Sequence, residues 1–166
     1  TNVLLTTIID AIAIDVDTIW RFNDSGNQPS PDWADLGFDD ASWSNGAALF
    51  YDGPSPELMP ESVRTMLSLR NASTTNRILT HYFRKKFEFP SAPSNSTVRL
   101  RHIVDDGAIF YLNGQEFYSI RMPALRPAFA TNTALTSVGT AAYEPPLTQF
   151  GFSVPITNLI AGENVL

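Results

Sequence analysis

The chain has 166 residues, no Cys, a formal net charge of −6 and 17% charged residues. A chain of this length buries roughly 70% of the surface its unfolded form exposes, so it can build one core without disulfides, and thiolate metal centres and CxxC redox chemistry are excluded. Both lysines, Lys85 and Lys86, follow Arg84 in a single short basic run, which argues against a phosphate-tracking nucleic-acid surface and against attraction to anionic membranes.

Residues 3–14 are apolar but interrupted by Asp10 and have no basic flank, so they read as neither an intact signal peptide nor a membrane-inserting segment. Strands are expected over 3–9 and 18–22, with Asp10, Asp15 and Asp17 between them. Residues 23–31 are turn-forming. Phe38-Asp39-Asp40-Ala41-Ser42-Trp43 predicts a helical turn in which Asp39 or Asp40 accepts a backbone N–H and Trp43 folds inward. A short strand over 47–51 precedes a long insertion, 52–76, in which Val63, Met66 and Leu67 recur at helical spacing within 60–69.

Residues 78–89 form the most legible strand: Phe83, Phe87 and Phe89 fall on a core face, and Tyr82, Arg84, Lys86 and Glu88 on a wet one. Val98, Leu100, His102 and Val104 form a second alternating set, with Arg99 and Arg101 pointing away. Residues 108–112 and 115–119 flank Asn113-Gly114, the dipeptide best suited to a two-residue hairpin turn. The Pro-interrupted segment 122–129 is loop or edge, 150–154 is a strand, and 155–162 is a turn-helix connection. Residues 161–166 read as a turn and the first residues of a further strand. Short β-rich runs between Pro, Gly, Asn and Ser clusters predict an all-β sandwich with little helix. It forms one domain over 1–166, expected to be excised from a longer chain and to lack part of its last strand.

Catalytic arrangements are thin. His81 and His102 are the chain's histidines, no HExxH pair exists, and neither a nucleophile elbow nor a glycine-rich phosphate cradle is present. His102 lies on an apolar face and reads as a core residue. The doublets Asp39-Asp40 and Asp105-Asp106 do not make an acid–base pair, because neighbours on an extended or turning segment point apart. They suit calcium better, which takes six to eight oxygens from carboxylates and loop carbonyls. Asp39, Asp40, Asp105 and Asp106 are therefore the candidate ligands of a structural calcium ion, with Asp10, Asp15 and Asp17 as further acids. Sugar recognition uses exposed aromatic planes beside polar groups. Trp33, in a polar loop, is the expected platform, with Tyr51, Tyr82 and Arg84 as further carbohydrate contacts; Trp20 and Trp43 are assigned to the core. Three sequons, at Asn23, Asn71 and Asn95, are close to what chance gives this composition and carry no weight.

Several segments in order carry a resemblance: an early Trp, then residues 38–43, Tyr82-Phe83-Arg84-Lys85-Lys86-Phe87, residues 105–114, Met122-Pro123 and residues 161–166. Together they resemble a galactose-binding-like jelly-roll module of large secreted bacterial proteins, and they cover Trp20 to Leu166. The resemblance implies a jelly-roll β-sandwich and a secreted, extracellular or cell-surface location. It also implies a non-catalytic role in binding a polysaccharide or other glycan, or in adhesion. It supplies no catalytic residue. Other domains of a parent chain are the expected partners, and a second reading is an assembly subunit that pairs with neighbouring subunits through an open sheet edge. Specificity in such folds lives in loops, here 23–37, 52–76 and 121–146.

Overall fold

The computed structural model describes residues 14, 15, 17–90, 96–148 and 151–166, the side chains of Ser96, Phe152 and Ile156 aside. The strand expected over 3–9, Asp10, the sequon Asn95 and Phe150 lie outside these residues. The fold is all-β. In chain order the strands are β1 (Ile19–Asn23), β2 (Ser44–Ala47), β3 (Phe50–Tyr51), β4 (Thr65–Met66), β5 (Tyr82–Arg84), β6 (Lys86–Phe89) and β7 (Ser96–Leu100). They continue with β8 (His102–Ile103), β9 (Ala108–Leu112), β10 (Gln115–Ile120), β11 (Tyr143–Glu144), β12 (Phe152–Ile156) and β13 (Gly162–Val165). The one helical element among the described residues is a 3-10 turn at Pro56–Leu58.

β1 lies between β2 and β5, antiparallel to both. β5 and β6 are separated only by Lys85, whose N–H and C=O both bond Leu166, at 2.7 and 2.9 Å. β13 runs antiparallel to β6 with Val165 opposite Lys86. The expected turn and short strand start at the end of the chain is thus a four-residue strand, opened by Gly162 at φ +90° and extended by Leu166. β7 pairs with β12, and β8 with β11.

Two aromatic groups pack on the opposite faces of β1 and β5. Phe22 and its cross-strand partner Phe83 meet Phe50, with ring centroids at 5.4 Å (Phe22) and 4.8 Å (Phe83). On the other face Trp33 packs with Trp43, Tyr82 and Tyr111. Such ring pairs contribute about 0.5–1.5 kcal/mol each beyond the area they bury.

The Asn113-Gly114 turn forms as the sequence predicts, with φ +47° and +84° closing β9 onto β10. It also docks on β13: Asn113 N–H donates to the Val165 carbonyl at 2.9 Å, and Asn113 Nδ2 donates to Asn164 Oδ1 at 2.8 Å. Asn164 is fully buried, and its own Nδ2 donates to the Ile160 and Gly162 carbonyls, both at 2.9 Å. A buried amide with its donors and acceptor all engaged offsets the cost of its desolvation and fixes the hairpin against the last strand.

Three expectations are corrected. Helical spacing over 60–69 gives no helix: Arg64 and Thr65 N–H donate to the Leu49 carbonyl, Leu67 N–H donates to that of Tyr51, and β4 forms parallel to β3. Tertiary pairing has taken the donors a helix would have used. Residues 155–162 contain no helix either; β12 runs through Pro155 to Ile156. The strand expected over 78–89 starts only at Tyr82, and its wet face changes character along its length. Tyr82 and Arg84 are buried, whereas Lys86 and Glu88 on the same face are exposed.

Candidate functional site

The buried half of that face is explained by the loop over 31–43. Arg84, 1% exposed, donates from Nε to Asp40 Oδ2 at 2.9 Å, and from Nη1 to the Asp35 carbonyl at 3.1 Å and to the Trp33 carbonyl. Its guanidinium carbon also lies 5.2 Å from the Phe38 ring centroid. The Phe38–Trp43 segment turns, but not as the helical turn expected: Asp39 Oδ1 accepts from Ala41 N–H at 3.0 Å, Trp43 N–H donates to the Asp40 carbonyl at 3.0 Å, and Trp43 is buried. One arginine therefore holds a whole loop down on the sheet.

Beyond the loop the face is open. Register places Asn45 opposite Arg21 and Arg21 opposite Arg84, and strand alternation puts Ile19 and Lys86 on the same side. These residues line a shallow groove of about 470 Å³ with Asp40 on its wall. Trp20 and Lys85 also line it, at the place where the pairing of β1 with β5 stops at Arg21 and Arg84. Arg21 Nη1 donates to the Trp43 carbonyl at 3.2 Å, and Lys86 Nζ pairs with Glu163 at 2.9 Å.

A smaller hollow of about 260 Å³ lies between Asp24, Ser25 and Asn27 on one side and Ser68, Arg70 and Asn71 on the other. It is knitted shut across its width: Asn71 Nδ2 donates to the Ser25 carbonyl at 2.6 Å and Ser68 N–H donates to Asp24 Oδ2 at 2.9 Å. Asn71 Oδ1 accepts from Ser73 and Thr74 N–H, and Asn23 Oδ1 from Ser25 N–H. Both of these sequon asparagines are spent on turns.

Of the four expected carbohydrate contacts, Arg84 alone lines the larger groove, as a buried residue rather than a surface one. Trp33 is half-buried and is not an exposed platform: its ring lies 5.0 Å from Tyr82, 5.5 Å from Tyr111 and 6.4 Å from Trp43. Apolar rings that can reach one another close over rather than face water. Tyr82 is buried, donates to Gln28 Oε1 at 3.3 Å, and has its hydroxyl pKa pushed up to about 12 by burial. Tyr51 folds back into its own turn, where its hydroxyl accepts from Ser55 N–H at 3.3 Å.

The four acids expected to hold calcium do not converge. Asp39 caps its turn and Asp40 neutralises Arg84. Asp106 Oδ1 accepts from Val138 N–H at 2.8 Å while its carbonyl accepts from Arg121 Nε. Asp105 has its pKa raised, by burial first and then by Asp106 beside it. Among the described residues no three His, Asp or Glu side chains form a group that could hold a metal ion.

His102 is buried, as its apolar face predicts, stacked 5.7 Å from Phe110 and with Nδ1 3.6 Å from Glu144. Glu144 in turn accepts both hydrogen bonds of Arg121 Nη1 at 2.9 Å.

Sequence reasoning missed the open groove because its members come from three stretches of chain. The sequence pattern assigns Trp20 to the core, and nothing in it brings Asn45 beside Arg21. The alternation of Arg84 and Lys86 was the available signal. Compared with known proteins, the sequence matches no protein-family model and no curated protein.

Proposed function

We propose that the protein is a non-catalytic carbohydrate-binding or adhesive module of an extracellular multidomain protein, built on a jelly-roll sandwich, and that it binds saccharide in the open groove beside Arg21. The observation that carries this reading is the groove itself. A floor of strands and one loop wall present hydrogen-bonding side chains, Arg21, Asn45 and Lys86 from the floor and Asp40 from the wall, with Trp20 and Ile19 as apolar lining. Its volume falls in the range of about 300–1,000 Å³ usual for small-ligand sites. Sugars need this mixture: their hydroxyls pair with amide, guanidinium and carboxylate groups while their C–H faces pack on apolar surface. The loop pinned by Arg84 keeps one wall in place without a ligand, which lowers the ordering cost of binding.

The test is retention on a panel of soluble and insoluble polysaccharides, comparing wild type with Asn45→Ala and Trp20→Ala. Retention by at least one saccharide, weakened by both substitutions, is expected. Failure of the folded protein to bind any saccharide contradicts the reading.

A further inference from the structure

We infer that the groove selects polysaccharides bearing carboxylates, that is uronate chains, over neutral ones; this rests on the saccharide-binding reading and adds the charge of the ligand. The chain carries a net charge of −6, yet both of its lysines line this groove together with Arg21 and Arg84, against the single carboxylate of Asp40. Asp40 is already committed to Arg84, at 2.9 Å, and stands 3.9 Å from Arg21 Nε. The remaining cations are only partly engaged: Arg21 Nη1 donates to the Trp43 carbonyl at 3.2 Å. The Arg21 side chain is 41% exposed. Lys85 has no ion-pair partner among the described residues. Lys86 holds only Glu163, with side chains 43% and 46% exposed, a kind of pair that contributes little in water and exchanges readily for a ligand carboxylate. Beneath them, Arg84 Nη2 is buried without a hydrogen-bond partner.

A cluster of like charge on a concave wall attracts counter-ions from an otherwise repulsive protein. Arg21 offers a planar fork that matches a carboxylate, and the lysines act as point charges beside it. A saccharide is favoured over an acidic peptide because Asn45 and Trp20 share the lining, and these serve ring hydroxyls and ring faces rather than a bare row of carboxylates.

The experiment is affinity electrophoresis of the whole chain at neutral pH in gels containing polygalacturonate, with neutral galactan, dextran sulfate and polyglutamate in parallel. Thermal melts check that each variant is folded. Polygalacturonate is expected to retard the protein most, and the retardation to fade as NaCl rises to about 0.5 M, where screening is nearly complete over contact distances. Arg21→Ala and Lys85→Ala should each weaken it about 2- to 5-fold, the size of one exposed ion pair. Equal retardation by galactan, with both variants unaffected, overturns the inference and leaves the saccharide reading standing. Preference for dextran sulfate overturns it in favour of a sulfated ligand. Polyglutamate binding as strong as that of polygalacturonate, unaffected by Trp20→Ala and Asn45→Ala, overturns it in favour of an acidic protein. Absence of retardation in every gel overturns both readings.

Discussion

Arg84 and Asp40 are joined by a 2.9 Å bond from Nε to Oδ2 while the arginine side chain is 1% exposed. Through this pair a residue of the central strand and a residue of the covering loop become one unit, and the groove owes one wall to it. Breaking a buried pair by removing one partner typically costs about 3–5 kcal/mol. Asp40 would keep Arg21 at 3.9 Å, but losing Arg84 also strips the Trp33 and Asp35 carbonyls of their donor and empties the buried space it fills. Arg84→Ala is therefore expected to lose a large share of a stability that for ordinary domains is about 5–15 kcal/mol. Urea unfolding of Arg84→Ala, and of Arg84→Met, Asp40→Leu and these last two combined, checks this. The double variant should lose less than the sum of its two single losses, and additive losses contradict the pairing.

The two tryptophans Trp33 and Trp20 should behave oppositely. Trp33 is engaged by three rings, so Trp33→Ala should destabilise by about 2–4 kcal/mol, toward the range of buried aromatic truncations. Trp20→Ala should impair saccharide retention in a protein that still folds. A Trp33→Ala variant as stable as wild type contradicts its place in the aromatic group.

The histidines set a pH dependence. His81 has its pKa lowered, by burial first and against the opposing pull of Asp52 and Asp24; His102 is lowered by burial, with Glu144 opposing and Arg121 assisting. A His whose folded pKa lies below its unfolded value binds fewer protons folded than unfolded. Its neutral form therefore contributes stability that is fully present above the unfolded pKa of about 6.5 and is lost as pH falls below it. Within the window between folded and unfolded values, each contributes a slope of up to about 1.4 kcal/mol per pH unit. Unfolding free energies between about pH 7.5 and 5.5 should fall, and His102→Gln should flatten the fall. A stability that rises on acidification contradicts these environments.

The hairpin turn yields a conformational prediction. Gly114 holds φ +84°, and a Cβ there would run into Asp35 Oδ1. The carboxylate is the end of an exposed side chain and can move, so the backbone conformation carries the cost, about 1–2 kcal/mol for Gly114→Ala. A melting temperature equal to wild type contradicts the positive φ.

What could be read from the sequence was local. The Asn113-Gly114 hairpin, the alternation that buries Leu100 and His102, and the turn ending at Trp43 each depend on residues a few positions apart, and each is present. Where a distant segment decides the outcome, the pattern misled. The backbone donors of residues 64–67 go to Leu49 and Tyr51, which helical spacing cannot register. Alternation placed Tyr82 and Arg84 on a wet face, and it was right about the face but blind to the loop that dries half of it. Trp33 looked exposed because its neighbours in sequence are polar, whereas its neighbours in space are rings.

Saccharide binding in the groove beside Arg21 is read out residue by residue by mapping amide and indole chemical-shift changes as uronate and neutral galactan oligosaccharides are titrated separately into the labelled protein. With at least one of them, changes should concentrate at Ile19, Trp20, Arg21, Asn45, Lys85 and Lys86. Changes centred on Trp33 and Tyr111, on the hollow between Asp24 and Asn71, or nowhere in the protein would contradict it.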